Sequence, residues 1–394
     1  MERLLLEKVL TSHLAEWGLR RFTSDEAYFH WQRQILSPQE LSDLRHHVER
    51  KRSGQPADEM AFYDLTAGVS ILPVLYSQRY DYYRVVGTLV ADRFGDAPSV
   101  LDFGCGVGIL TTFYAKVYPG KIFVGVDRSP ASIAQAERNA KRFGLNNVRF
   151  ECVDAEHEGL PGRYECILAT HALVQAEQDS GIPSRDWTTF ERDRDVHLQR
   201  QFETRTGIGT RLDRLCAALA PAGRMIVFEK TRQLARRVPF QRALAARGLT
   251  LLDQPELVRY QTVEEISDDG PLYVMRKTEA GTVQWDEMPE PDEGRPFDRT
   301  APRATLSDPD TPLYENHWPS AQREWERLKS RSVIAETTRQ GPHGGCMHVE
   351  KGAAEDLLYL YCANTFDQRQ LLIVEPFRRA MLDAYYQEII TGVS

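Results

Sequence analysis

At 394 residues the chain exceeds a comfortable single domain and predicts two or three units with at least one sizeable core. Hydrophobic residues at 42% and charged residues at 27% exclude wholesale disorder, while a formal charge of −8 disfavours broad capture of a phosphate backbone, so nucleic acid is not the expected partner. Six cysteines with no CxxC pair and no matched Cys/His spacing frame no zinc site, so no metal is expected, and reduced thiols in a cytoplasmic protein are the simplest reading.

The N-terminal stretch MERLLLEKVLTSHLAEWGLRRF carries helical apolar spacing broken by charges and lacks the continuous apolar run of a signal peptide. No uncharged stretch approaches the roughly 18 residues that cross a bilayer, so no membrane is expected. Residues 1–84 are predicted as a helical cap. Leu4, Leu5, Val9 and Leu14 form one apolar stripe, and Ser37-Pro38 opens a fresh helix through Leu41 and Leu44. Tyr76, Tyr80 and Tyr83 follow i, i+4, i+7 spacing on a helix entering the next region, so their rings can close over a ligand; a packed aromatic stripe is the alternative.

Across residues 85–278 the period switches. Short apolar runs at SVLDFG, KIFVGVD, NVRFECVD, YECILAT and RMIVFEK alternate with helical segments, which predicts parallel βαβ units and a mostly parallel α/β sheet. SPASIAQAERNAKRFG opens at Ser129-Pro130 and closes on Gly144, and TRLDRLCAALAPAG ends in a Pro221–Gly223 turn. LTLLDQ and PLYVMRK follow without a long helix between them, predicting an antiparallel hairpin at the sheet edge. Within this region lies a long insertion, residues 174–208, of the kind that forms lids. Its Trp187, Phe190, Leu198 and Phe202 are placed to close on a substrate, with Arg192, Arg194 and Arg200 on a solvated face; a surface helix pair is the alternative.

Residues 279–318, rich in Pro, Asp and Glu, read as a linker or extended wrap. Residues 319–394 read as an α+β module with a helix around AQREWERLK, strands SVIAETTR, CMHVEK, LLYLYCA and QLLIVE, and a helix from Pro376 through Tyr386. This module resembles no family. It can dimerise the chain, complete a pocket or recruit a protein partner through exposed strand edges.

The strongest motif is Val100-Leu101-Asp102-Phe103-Gly104-Cys105-Gly106-Val107-Gly108, between a strand and the helical ILTTFYAKVY. Glycines allow close approach of a bound nucleoside, and the C-terminal end of a strand at a sheet's switch point supplies the crevice. Asp127 ends the next strand, where a carboxylate can accept hydrogen bonds from both ribose hydroxyls, and Asp154 ends the third, near an adenine amino group. A dinucleotide fingerprint GxGxxG would need glycine at 109, where this chain has Ile109.

In order, DFGCGVG, VGVD, CVDAE, YECILATHAL and LAPAGRMIVFE resemble the motif series of the class I S-adenosylmethionine (SAM) dependent methyltransferases over about half the chain. The resemblance implies a Rossmann-like sheet with an antiparallel edge strand and SAM as cofactor. It further implies the amino-acid part of SAM near Asp102, Gly104 and Gly106, the ribose at Asp127, and the adenine near Asp154 with Ala155 and Glu156 flanking it. Cys105, Gly108, Arg128 and Thr170 complete the expected cofactor set.

Displacement at a sulfonium asks the protein to align the nucleophile, exclude water and remove a proton where one must leave. His171, just past the fourth strand, sits where the family's fourth motif faces the methyl and can act as general base; a loop-bonding histidine is the alternative. Glu229 ends the fifth strand, where it can bind a substrate cation or orient a base, against the alternative of a solvated ion pair. The sequence ATHAL departs from the motif of nucleobase N-methylation, and no Pro-Cys pair serves cytosine C5 chemistry. A small-molecule acceptor is therefore expected; a protein or peptide acceptor, or a non-catalytic SAM-binding scaffold, are the other readings.

Overall fold

Helix α1 (Arg3–Glu16) buries Leu6, Leu10, His13 and Leu14, while Leu4 and Leu5 are 70% and 50% exposed. The expected stripe through Leu4 and Leu5 is thus out of phase. Three consecutive leucines leave the helix's rotation ambiguous, and His13, counted as polar, belongs to the inward face, where it accepts the Trp17 indole N–H at 3.1 Å. The computed structural model describes residues 3–52, 55–174, 179–278, 286–300, 311–341 and 344–392. Parts of the expected insertion (175–178) and linker (279–285, 301–310) therefore lie outside the described residues.

Helices α2 (Asp25–Ile35), α3 (Pro38–Lys51), α4 (Pro56–Thr66), α5 (Ile71–Ser77) and α6 (Tyr80–Ala91) complete the N-terminal helical region. Ser37 and Glu40 form a reciprocal capping box at the start of α3, as the Ser-Pro signal predicts. There follow β1 (Ser99–Phe103), α7 (Ile109–Val117), β2 (Ile122–Asp127), α8 (Pro130–Arg142), β3 (Val148–Cys152) and β4 (Tyr164–Thr170). After helices α9 (Val196–Arg205) and α10 (Ile208–Ala218) come β5 (Leu219–Phe228), α11 (Leu234–Ala246), β6 (Leu249–Leu251), β7 (Glu256–Gln261) and β8 (Ile266–Lys277).

The eight strands form one sheet in the order β3-β2-β1-β4-β5-β8-β6, with β7 also on β8. Strands β1 to β5 pair in parallel and β8 runs antiparallel to β5, so the fold is the Rossmann-like α/β sheet with a reversed strand. The reversed strand is not a simple edge hairpin. β8 is long enough to pair β5 on one side and both β6 and β7 on the other, and β7 has no counterpart among the expected strands. Pro221–Gly223 also lies inside β5 rather than in a turn, with Ala222 at φ 57° beside a register irregularity.

The chain falls into two compact units. The first comprises Met1–Asp179, Glu203–Arg232 and Gln241–Gln284; the second comprises Ser180–Phe202, Gln233–Phe240 and Trp285–Ser394. The first unit's core joins Leu6, Leu10 and Leu14 of α1, Val86 and Val90 of α6 and Phe113 of α7 to Val100, Phe123, Leu168 and Phe228 of the sheet. The N-terminal helices are thereby continuous with that core.

The second unit is built on β9 (Tyr314–Asn316), α12 (Ser320–Arg327), β10 (Arg331–Gln340), β11 (Cys346–Ala354), β12 (Leu357–Asn364), β13 (Arg369–Val374) and α13 (Arg379–Gly392). Its antiparallel sheet has the order β10-β11-β12-β13-β9. Alternation along β12 sends Tyr359, Tyr361 and Ala363 to one face, with Trp187 and Trp325, and Leu358 and Leu360 to the other, under Leu382 and Tyr386 of α13. β9 comes from the segment read as linker, and residues 180–202 from the segment read as lid. Buried Arg192 pairs with Asp367, Trp187 stacks on His348 at 3.8 Å, and Phe190 lies 4.6 Å beneath the Arg369 guanidinium. Among the described residues no single helix is long and apolar enough to cross a membrane.

Candidate active site

The sheet order reverses between β1 and β4, and the crevice beyond the C-terminal ends of these strands is where α/β sheets bind ligands. A cavity of about 540 Å³ occupies this place in the first unit, floored by residues 102–107 and roofed by side chains of α3 to α6.

The loop after β1 takes its shape from glycine. Gly104, Gly106 and Gly108 have φ of 72°, 55° and 80°. A Cβ at Gly104 would stand 2.4 Å from Ala172 Cβ, whereas one at Gly106 would meet nothing within 4 Å, so the backbone there is bare toward the cavity. Gly108 does not line the cavity; it is the N-cap of α7, and its missing Cβ makes room for Ala136 and Phe150.

Asp127 accepts N–H groups from Gly106 and Ser129, each at 2.9 Å and each on a different carboxylate oxygen, which anchors the loop and leaves further lone pairs at the cavity. Burial raises its carboxyl above the ordinary range, against the pull of those N–H donors. Asp102 is buried, among the described residues accepts only the Thr111 hydroxyl at 2.6 Å, and burial pushes it up to about 7. Asp154 is more open. It accepts the Glu156 N–H and contacts His157 at 2.9 Å, and these outweigh its small burial to hold it below the usual range. Ala155 and Thr170 line the same cavity, with Cys105, whose thiol burial pushes well up, and Arg128, which pairs with Glu59 at 2.5 Å.

His171 follows β4 in a left-handed conformation, φ 53°, a strained setting for a non-glycine residue. Its N–H donates to Phe228 O at 2.8 Å, and its ring stacks on Tyr82 with centroids 5.0 Å apart. Nε2 lies 3.0 Å from Asp269 Oδ2. The Tyr260 hydroxyl donates to the same oxygen, and Ser267 donates to the other at 3.1 Å. Burial lowers the pKa of His171, opposed by Asp269; His171 and Tyr260 in turn hold Asp269 well below the carboxylate range despite its burial.

Glu229 is not a solvated ion pair. It is 1% exposed and its Oε1 accepts the N–H groups of Ala172 and Leu173, both at 2.7 Å, tying down the loop after His171; burial raises it to about 7.

Of the aromatic residues expected on a single helix, Tyr76 and Tyr83 line the cavity and stack on each other at 6.2 Å. Tyr80 does not: it packs in the core. The break between α5 and α6 at Gln78–Arg79 changes the helical phase, and Tyr82 takes the expected place. Trp187 belongs to the second unit and is not among the lining residues. Sequence reasoning missed Arg79, Tyr63 and Asp269. Asp269 had a signal: an antiparallel strand starts at the edge where parallel strands end, so an acid opening PLYVMRK faces the same crevice.

A nucleoside-sized crevice with a glycine loop and carboxylates at successive strand ends defines the cofactor site of an α/β methyltransferase. Residues 95–235 match the family model described as "Methyltransferase domain". A tRNA (guanine-N(7)-)-methyltransferase of Rubrobacter xylanophilus is 39% identical over 193 residues, 46% of this chain and 78% of that protein. The chain belongs to the class I SAM-dependent methyltransferases.

A release factor glutamine methyltransferase of Geobacter sulfurreducens is 33% identical over 118 residues, 29% of this chain and 41% of that protein. The chain thus spans about two-fifths to just over half of the length of the release factor enzymes it matches. Among solved structures, the magnesium protoporphyrin IX methyltransferase of Synechocystis PCC 6803 is 15% identical over 59% of this chain and 96% of that one, with a TM-score of 0.37.

The donor set fits SAM. Gly106 offers bare backbone, Asp127 retains acceptor capacity for two hydroxyls, and buried Asp102, which among the described residues accepts only the Thr111 hydroxyl, is matched by an ammonium group.

Proposed function

We propose that this chain is a cytoplasmic enzyme that methylates a small-molecule acceptor, using SAM held by Asp102, Gly104, Gly106, Asp127, Asp154 and Ala155. The observation that carries the reading is the roofed cavity itself. Phe62, Tyr63, Tyr76, Tyr82 and Tyr83 supply an aromatic wall above the glycine loop, and such enclosure suits a compact acceptor rather than a polymer. Six free thiols support a reducing compartment.

SAM supplies an electrophilic methyl group on a sulfonium, and the protein's residues do the rest. Asp127 would accept the ribose hydroxyls, Asp102 the ammonium charge, and the aromatic wall would exclude water from the displacement. His171, neutral near pH 7 because burial lowers its pKa, would take the acceptor's proton, with Asp269 orienting the ring through Nε2 and stabilising the charge that forms. Arg79 lines the cavity and forms no salt bridge with a described residue, which favours an acceptor bearing an acidic group.

The Rubrobacter relative favours a second reading, a tRNA acceptor, against which stand the acidic total and the enclosed wall. Incubation with methyl-labelled SAM and separated tRNA, protein and metabolite fractions decides: label in the metabolite fraction supports the proposal, and label confined to tRNA or protein overturns it. Asp127→Ala should abolish the transfer and weaken SAM binding by about 10- to 100-fold in calorimetry.

A further inference from the structure

The second unit carries a cluster of ligating groups that the methyltransferase reading does not use. His348 and Glu350 stand two residues apart on β11 and so share one face of the sheet, and Glu336 of β10 lies directly across from Glu350 in the strand register. The imidazole nitrogen of His348 and one carboxylate oxygen from each glutamate all lie within 4.8 Å of one another. Two carboxylates placed opposite each other on neighbouring strands repel, and only a cation between them reverses the sign.

His348 is 2% exposed. Its Nδ1 is hydrogen-bonded to the Thr338 hydroxyl at 2.8 Å, while its Nε2 is buried, has no hydrogen-bond partner among the described residues, and faces Glu350 Oε2 at 3.6 Å. That separation is too long for a hydrogen bond. It does suit two ligand atoms flanking one metal ion at about 2.0–2.2 Å from each. The surroundings are those of ligands held by outer partners. Glu350 Oε1, the oxygen turned away from His348, accepts the Trp325 indole N–H at 3.2 Å and the Tyr359 hydroxyl, which leaves Oε2 for the ion. Trp187 lies flat on the His348 ring, 3.8 Å away and within 5° of parallel, fixing its plane. Glu336 is exposed, so one coordination position opens to water.

We infer that Glu336, His348 and Glu350 form a divalent transition-metal site, best matched to Zn²⁺ by its one imidazole and two carboxylates, which pins edge strand β10 to β11. No Cys/His spacing announces it, because its ligands come from two strands joined by register rather than by sequence.

The test uses untagged full-length protein, stripped with a chelator and titrated with Zn²⁺ against a chromophoric indicator. One equivalent of Zn²⁺ should bind, Glu336→Gln should weaken it at least roughly tenfold, and His348→Gln should abolish it. Because His348 is buried and its loss can unfold the sheet, the exposed Glu336→Gln carries the decision. As a second readout, Zn²⁺ should raise the melting temperature of the native chain more than that of Glu336→Gln. Absence of stoichiometric uptake, or equal affinity in the native chain and Glu336→Gln, overturns the assignment and leaves His348 and Glu350 as an ordinary buried pair.

Discussion

Two buried acids, Asp102 and Glu229, sit at the ends of β1 and β5 with carboxyls raised to about 7, and both bear on how the empty-handed protein responds to pH. For Glu229 the ordinary value is 4.5. The unfolded chain ionises it first, so the folded state loses stability as pH climbs from 4.5 toward about 7, by up to roughly 3 kcal/mol. Glu229→Gln keeps an acceptor for the Ala172 and Leu173 N–H groups and removes the ionisation; its melting temperature, measured without SAM from pH 5 to 8, should fall less with rising pH than that of the native chain. The opposite sign applies to rate. His171 is lowered by burial and raised by Asp269, so the acid limb of kcat/KM should lie below the ordinary histidine value of roughly 6.5, and Asp269→Asn should move it lower still. A kcat loss of about 100-fold is expected with that shift, whereas a purely structural loss would leave the limb in place. The loop residues were legible because Asp102 to Gly108 are contiguous and Asp127 and Asp154 each end a strand. In the group of His171, Asp269 and Tyr260, His171 was legible at the end of its strand and Asp269 had a signal in the reversed strand, but Tyr260 was not, since it lies on β7.

The same distinction holds for elements. Strands β1, β2 and β4 could be read from apolar runs because they are buried along most of their length, and α3 and α8 from their Ser-Pro starts. The rotation of α1 could not, because a run of three leucines fits several faces until Gly87 of α6 chooses one: a Cβ there would lie 2.9 Å from Leu10 Cδ2. Leu10→Ala should therefore cost about 2–5 kcal/mol, read as a lowered urea midpoint, while Leu4→Ala should stay within about 0.5 kcal/mol of the native chain. Equal effects at both positions would restore the stripe through Leu4. The short β7 escaped notice for a different reason. Its pattern of one buried residue in two is brief, and it shares the edge of β8 with β6 instead of extending the sheet.

At the scale of the whole molecule, composition marks a linker and a C-terminal module, but the second unit also recruits residues 180–202 and 233–240. Such pairing across more than a hundred residues leaves no local trace. A fragment beginning at residue 311 retains the five strands yet lacks Arg192, the buried partner of Asp367, and Trp187, so it should show no cooperative thermal transition by circular dichroism. A sharp transition in that fragment would show that the strands suffice.

The interleaved chain also has a consequence during synthesis. Everything the first unit needs has been made by residue 284, but Ser180–Phe202 must wait for strands that end at Val374. At roughly 5–20 residues per second that interval is on the order of ten to thirty seconds. For that time a tryptophan and an arginine destined for the second unit's packing are held in the open on a nascent chain, which makes this segment one that a ribosome-associated chaperone would meet.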